Sequence, residues 1–125
     1  MSEQVGALKK ALTAATVTTG GAVLSVANPE GADLIVTGLI LDITTEATGA
    51  ATVDAGIAAD GTTSADNLID AGNVGAAVAI LTNVGDGGTN GKAATKWGSS
   101  QYLTITASAT LAGMVGNAYI QYIRE

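Results

Sequence analysis

The chain has 125 residues, 47% of them hydrophobic but only 3% aromatic, and eleven Asp and Glu against five Lys and Arg give a formal charge of -6. With no His and no Cys, it lacks the side chains that supply most neutral-pH acid/base, nucleophilic and soft-metal chemistry, and it has no disulfide framework. The expectation is a structural or binding protein, not an enzyme, with no cofactor.

Nucleic acid is bound by neutralising its phosphates with clustered Lys and Arg. Here the cations are scattered at Lys9, Lys10, Lys92, Lys96 and Arg124, so no nucleic-acid partner is expected. No segment approaches the ~18 consecutive apolar residues of a membrane helix, and Glu3, Lys9 and Lys10 leave no room for the apolar region of a signal peptide. The expected product is made in the cytoplasm and has no membrane partner.

In chain order, Ser2 to Ala15 places Val5, Leu8 and Leu12 at near-helical spacing with Lys9 and Lys10 on the other side. This predicts an N-terminal arm or short helix over residues 1–20, ahead of a single domain over 21–125. Ala22 to Ala27 reads as a strand closed by the turn Asn28-Pro29-Glu30-Gly31. Asp33 to Thr45 is the strongest strand, its second half alternating Leu39, Leu41, Ile43 against Ile40, Asp42, Thr44. Ala51 to Ala58 repeats the pattern, with Val53, Ala55 and Ile57 inward. Ser64 to Asp70 could form one helical turn capped by Ser64. A further apolar run, Val74 to Val84, leads into Gly85 to Gly91, where four glycines in seven residues predict a flexible or positive-φ loop. Gln101 to Ala109 alternates again. Ala118 to Ile123 is apolar on both faces, which predicts a central strand or one at a subunit contact. Six to eight short strands separated by turns indicate an all-β fold, an antiparallel β-sandwich or jelly roll.

Few residues suggest chemistry. Gly91-Lys92 ends the glycine-rich loop, but a phosphate-binding loop needs Gly where Asp86 stands and Ser or Thr where Ala93 stands. Asp60, Asp66 and Asp70 are oxygen ligands of the kind that suits calcium, yet their spacing is not that of a calcium loop and no bidentate Glu follows. Asp42 and Asp54 lie in outward registers, where solvation or hydrogen bonds to Thr account for them. Ser99 and Ser100 have no His as base. Trp97 is either a core or rim residue or an interface anchor, and Tyr119 and Tyr122 pose the same alternative, since Trp and Tyr dominate binding hot spots.

The stretch Leu39 to Thr45, then Thr48 to Gly56, then Thr62 to Asp70, continuing through Asn90-Gly91-Lys92 to Gly113-x-Val115-Gly116-x-Ala118-Tyr119-Ile120-x-Tyr122, resembles small virion structural proteins of tailed bacteriophages. The resemblance covers roughly Ile35 to Ile123. It implies a β-rich head decoration (cement) protein, often a homotrimer, on the outer capsid surface of the virion with the major capsid protein as partner, and it implies no cofactor. The acidic balance agrees, because packaged DNA repels it. The contact candidates for subunit or capsid are Val5, Leu8, Lys9, Lys10, Trp97, Tyr119 and Tyr122. A head-fibre or tail-associated host-recognition module is the alternative reading. A secreted carbohydrate-binding domain is disfavoured by the few aromatics available to stack on sugars.

Overall fold

A computed structural model describes residues 4–13, 22–75 and 78–125. The described residues form nine strands and no helix: β1 (Val5–Thr13), β2 (Ala22–Ala27), β3 (Leu34–Thr45), β4 (Thr52–Ala58), β5 (Ile69–Asn73), β6 (Ala79–Thr82), β7 (Thr95–Trp97), β8 (Tyr102–Ala107) and β9 (Val115–Arg124). They pair as two antiparallel sheets, a first of order β1-β9-β3-β6 with β7 also on β3, and a second of order β2-β8-β4-β5. Strand β1 pairs with β9, β2 with β8, β3 with β6 and β7, and β4 with β5. These pairs nest like one long hairpin rolled over on itself, which is the jelly-roll topology with its sixth strand in two pieces, β6 and β7.

Alternating side chains from both sheets fill the core. Leu34, Leu39, Leu41 and Ile120 from the first sheet meet Leu103 and Ile105 from the second, all essentially inaccessible to water. Even-numbered residues face inward at the start of β3 and odd-numbered ones later. The register shift between Val36 and Gly38 explains it: one extra residue lets both halves of a twelve-residue strand keep their apolar side on the core.

The N-terminal expectation is corrected. Val5–Thr13 is a strand hydrogen-bonded along its length to β9, from Val5 opposite Ile123 to Thr13 opposite Val115. Leu8 and Leu12 fall on the inward register as well as at helical spacing, whereas Val5, the third apolar residue of that spacing, faces outward, and pairing with a central strand decides between the two periods. This segment is therefore part of the sandwich and not an arm beside it. The rest of the expected arm, residues 1–3 and 14–20, lies outside the described residues, as do residues 76–77 of the apolar run before β6.

The helical turn expected at Ser64 is also absent. Residues 59–68 instead lie across the outer face of the second sheet. Thr104 Oγ1 donates to Thr63 O at 2.9 Å, Ser64 Oγ and Thr106 Oγ1 are 2.6 Å apart, and Asn67 Oδ1 accepts Ile57 N at 2.8 Å. The loop runs so close to β4 that a Cβ on Gly56 would lie 2.8 Å from Asn67 N. Only glycine permits that approach. The glycine-rich loop is likewise tied down: Asp86 N donates to Thr82 O at 2.7 Å and Gly91 N to Gly87 O at 2.7 Å, and Gly88 alone in it has a positive φ.

Candidate interaction surface

The two sheets differ in what covers them. The second sheet has its own loop over its outer face, so outward residues such as Thr104 and Thr106 are buried. The first sheet has nothing over its outer face among the described residues. Ile40, Ile80, Val115, Tyr119 and Val5, all more than a third exposed, stand there. Val78 and Val84, the other large exposed apolar residues, flank β6 at the margin of the same sheet. Sandwich sheets normally alternate an inward apolar face with an outward polar one. Here the outward face also carries large apolar side chains, set among Lys9, Asn117, Asp42, Thr82 and Gln121, and their grouping on one sheet makes it the candidate contact surface.

The register fixes its layout. One row across the sheet reads Lys9, Tyr119, Ile40, Thr82, and the next reads Ala11, Asn117, Asp42, Ile80. Between β1, β9 and β3 lies a shallow groove of about 360 Å³ lined by Ala7, Lys9, Gly38, Ile40, Tyr119 and Gln121. Gly38 follows the bulge of β3, and the small side of Ala7 with the missing side chain of Gly38 leaves the hollow. The ammonium of Lys9 lies 5.7 Å from the centre of the Tyr119 ring, a cation–π contact worth about 0.5–1 kcal/mol at an exposed site. It holds the ring as one wall of the groove.

The contact candidates from the sequence separate on this geometry. Val5, Lys9 and Tyr119 are on the exposed face. Leu8 packs half-buried against the core. Lys10 is exposed but sits opposite Ala118, in the row of the sheet's inner register, where a charge discourages edge-to-edge pairing of β1. Trp97 and Tyr122 are corrected: both are buried in the chain's own core. Their rings meet edge to face with centroids 6.5 Å apart, Trp97 Nε1 donates to Gln101 O at 3.0 Å, and Tyr122 lies against Gly6 with its hydroxyl on Glu30 at 2.9 Å. Each ring satisfies its polar group internally, which is the condition for burying it. Ile40 and Ile80 were missed as candidates. Their outward alternation was legible at Ile40, but an exposed Ile is the choice only a paired register reveals.

The aspartates have local roles. Asp60 accepts four hydrogen bonds, from the backbone and hydroxyl groups of Thr62 and Thr63. Asp66 and Asp70 both hold Asn90. Asp54, expected to be solvated or bonded to Thr, accepts Ala71 N at 2.8 Å, where φ is 58°. The described residues contain no group of three or more acidic, His or Cys side chains placed to hold a metal ion, so Asp60, Asp66 and Asp70 do not come together as a calcium site.

Those hydrogen bonds make stability depend on pH. The Thr62 and Thr63 donors hold the Asp60 carboxyl at about 2, below its ordinary 3.8. Arg124, at 2.6 Å, and then the Tyr122 hydroxyl lower Glu30 from its ordinary 4.5. A depressed carboxylate stabilises the fold fully above its unfolded pKa and loses that contribution as pH falls through the folded one. The melting temperature should therefore decline from just above pH 4 down to about pH 2. Asp60→Asn should flatten the Asp60 part of that decline in a calorimetric series, and an unchanged slope would remove Asp60 as its source.

No protein-family model matches the chain, and no curated protein matches it. Among solved structures, a chain from the acid-stable capsid of Helicobacter pylori bacteriophage KHP30 is similar with a TM-score of 0.51 and 11% identity, over 98% of this chain and 90% of that one. What the two share is the fold. The C-terminal domain of EclA, a sugar-binding protein, aligns over 100% of this chain and 76% of its own with a TM-score of 0.43 and 14% identity.

Proposed function

We propose that this chain is a virion structural protein that decorates the outer surface of a phage capsid and stabilises the shell by bridging neighbouring capsid subunits as an oligomer, a trimer in the favoured form. The observation that carries this reading is the uncovered apolar face of the first sheet, on a sandwich whose other face is closed by its own loop. A rigid body with one sticky face acts by contact. The phage-capsid chain of the same fold, matched over nearly all of both chains, supports the virion setting.

Bridging follows from linkage. A protein that binds the assembled shell and not its separated subunits stabilises the shell in proportion to that preference. Several weak contacts made at once add avidity without any single tight site, provided the geometry allows them together. The jelly roll supplies a stiff spacer for this, since both sheets are locked to one core.

The test is addition of the purified protein to expanded phage heads that lack decoration, with bound copies located by label. Many copies spread over the head, together with a higher temperature of head disruption, are expected. Copies confined to a few vertices or to the tail would replace this reading with host recognition, and no binding would end it.

A further inference from the structure

We infer that the uncovered face of the first sheet is a contact between copies of this chain, in which the β6 side of one copy's face meets the β1 side of another's. The inference deepens the proposed decoration role and rests on it for its biological purpose. Charge identifies the occupant. The chain carries -6, and like-charged copies repel wherever carboxylates meet. Asp54, Asp60, Asp66 and Asp70 lie on β4, β5 and the loop between them. The outward registers of β1, β9, β3 and β6 instead carry one cation, Lys9, and one carboxylate, Asp42. At the margin Lys96 is spanned by Asp33 at 3.6 Å and Glu125 at 3.4 Å. Charge here is sparse and of both signs, so two copies meet less repulsion on this surface than across the carboxylates of the second sheet.

The face also carries both halves of a fit. On its β1 side are the groove and Lys9. On its β6 side project Ile80, 66% exposed, and Val84, 75% exposed. Val84 stands at the tip of a turn fixed from three directions: Thr82 N donates to Asp86 Oδ2 at 2.9 Å, Gly85 N to Thr82 Oγ1 at 2.8 Å, and Asp86 N to Thr82 O at 2.7 Å. A valine held so firmly in water is preorganised for a partner, and little ordering entropy remains to be lost on binding. Asp42 is on β3 next to Ile80, whereas Lys9 is on β1 across the sheet. A contact of unlike sides brings apolar projection to groove and carboxylate to ammonium together, which fixes its register.

Area permits the contact. Four strands ~4.8 Å apart and ~30 Å long give a face of about 600 Å², so a pair buries roughly 1,200 Å², the lower end of the stable class. Used whole against a second copy the face closes a two-fold pair, and offset so that each side meets a different neighbour it closes a small ring with about half that area at each contact.

Sedimentation at micromolar concentration tests it with the intact chain, alongside Ile80→Asp and Val84→Asp. Both sites are mostly exposed, so circular dichroism and melting of the monomeric fold should be preserved; Val84→Asp, outside any strand, guards against failure of β6 to pair. The wild type is expected as a closed oligomer, and each variant should weaken association about 30-fold or more, the size of a hot-spot loss. A monomeric wild type, or variants that stay oligomeric, would overturn the inference. Variants that remain oligomeric but lose binding to heads would assign this face to the shell and leave the decoration role standing. A wild-type oligomer that the variants disrupt but that never binds heads would uphold the inference and end the decoration role.

Discussion

Trp97→Ala should cost about 3–5 kcal/mol of folding stability, the range for deleting a large buried aromatic side chain. For a chain of this size that is a fall of roughly 10–20 °C in melting temperature. The effect is large because the core has little else of that volume: Trp97 is the largest fully buried side chain and the chain has no Phe. The indole also joins separate parts of the sandwich. It packs edge to face on Tyr122 of β9 and its Nε1 donates to Gln101 O, while the backbone carbonyl of Trp97 accepts Asn28 Nδ2 at 3.1 Å. The same Asn28 side chain orders the turn after β2, accepting Glu30 N at 2.9 Å and Gly31 N at 3.0 Å. Loss of the ring therefore loosens the end of the sandwich where Glu30 meets Tyr122 and Arg124. Trp97→Phe should recover part of the loss, as it refills volume without restoring the Nε1 hydrogen bond. Equilibrium urea unfolding gives both values, and a change under 1 kcal/mol for Trp97→Ala would contradict the packing described.

Asn83→Ala should destabilise by about 2–4 kcal/mol although it removes only a small polar side chain. Asn83 is buried and makes three hydrogen bonds: Oδ1 accepts Leu39 N at 3.0 Å, and Nδ2 donates to Lys92 O at 2.8 Å and Ala93 O at 3.1 Å. A net bond is worth ~1 kcal/mol, and a buried partner left unpaired costs ~1–3 kcal/mol. Asn83→Asp separates the two roles. It keeps an acceptor for Leu39 N but turns a carboxylate toward two carbonyl oxygens, so its carboxyl is expected to titrate higher in the fold than in the unfolded chain. Relative to the wild type, its stability should then be highest at low pH and fall as pH rises through that folded pKa. Because Asn83 precedes Val84, Asn83→Ala should also weaken self-association at temperatures where the fold persists. A variant as stable and as associated as the wild type would show that the turn is not anchored in this way.

How far the residues foretold these features depends on the range of the interaction behind each. The alternation Leu39, Leu41, Ile43 and again Val53, Ala55, Ile57 records burial of one face, a local property, and the strands followed directly. In β1 the inward residues Leu8 and Leu12 suit a helix as well as a strand, and only the ladder with β9, more than a hundred residues later, decides. Ser64 has the side chain of a helix cap, but its hydroxyl meets Thr106 across the second sheet, a long-range bond that local preference does not encode. For Trp97 the residue type alone puts a core or rim place first and leaves an interface anchor as the alternative, because a tryptophan suits both. Its depth is set by β7 pairing with β3.

The surface was legible only in outline. Tyr119, Val5 and Lys9 stood out as aromatic, apolar or charged residues near a terminal strand. Ile80 did not, since an isoleucine in an apolar run reads as core until the register shows which way it points. The covering of the second sheet by residues 59–68 was equally hidden, and it is this covering that makes the first sheet the one left bare. The absence of His and Cys is the basis of the expectation that the chain acts by contact. The geometry adds where contact can occur.

Particle density at a resolution that separates strands would show both where the chain sits and what covers its first sheet. The chain is expected to repeat across the outer surface of the head, with Ile40, Ile80, Val84 and Tyr119 of the first sheet covered by a neighbouring copy. Density that placed the chain only at the tail, or on the head with that face open to solvent, would contradict it.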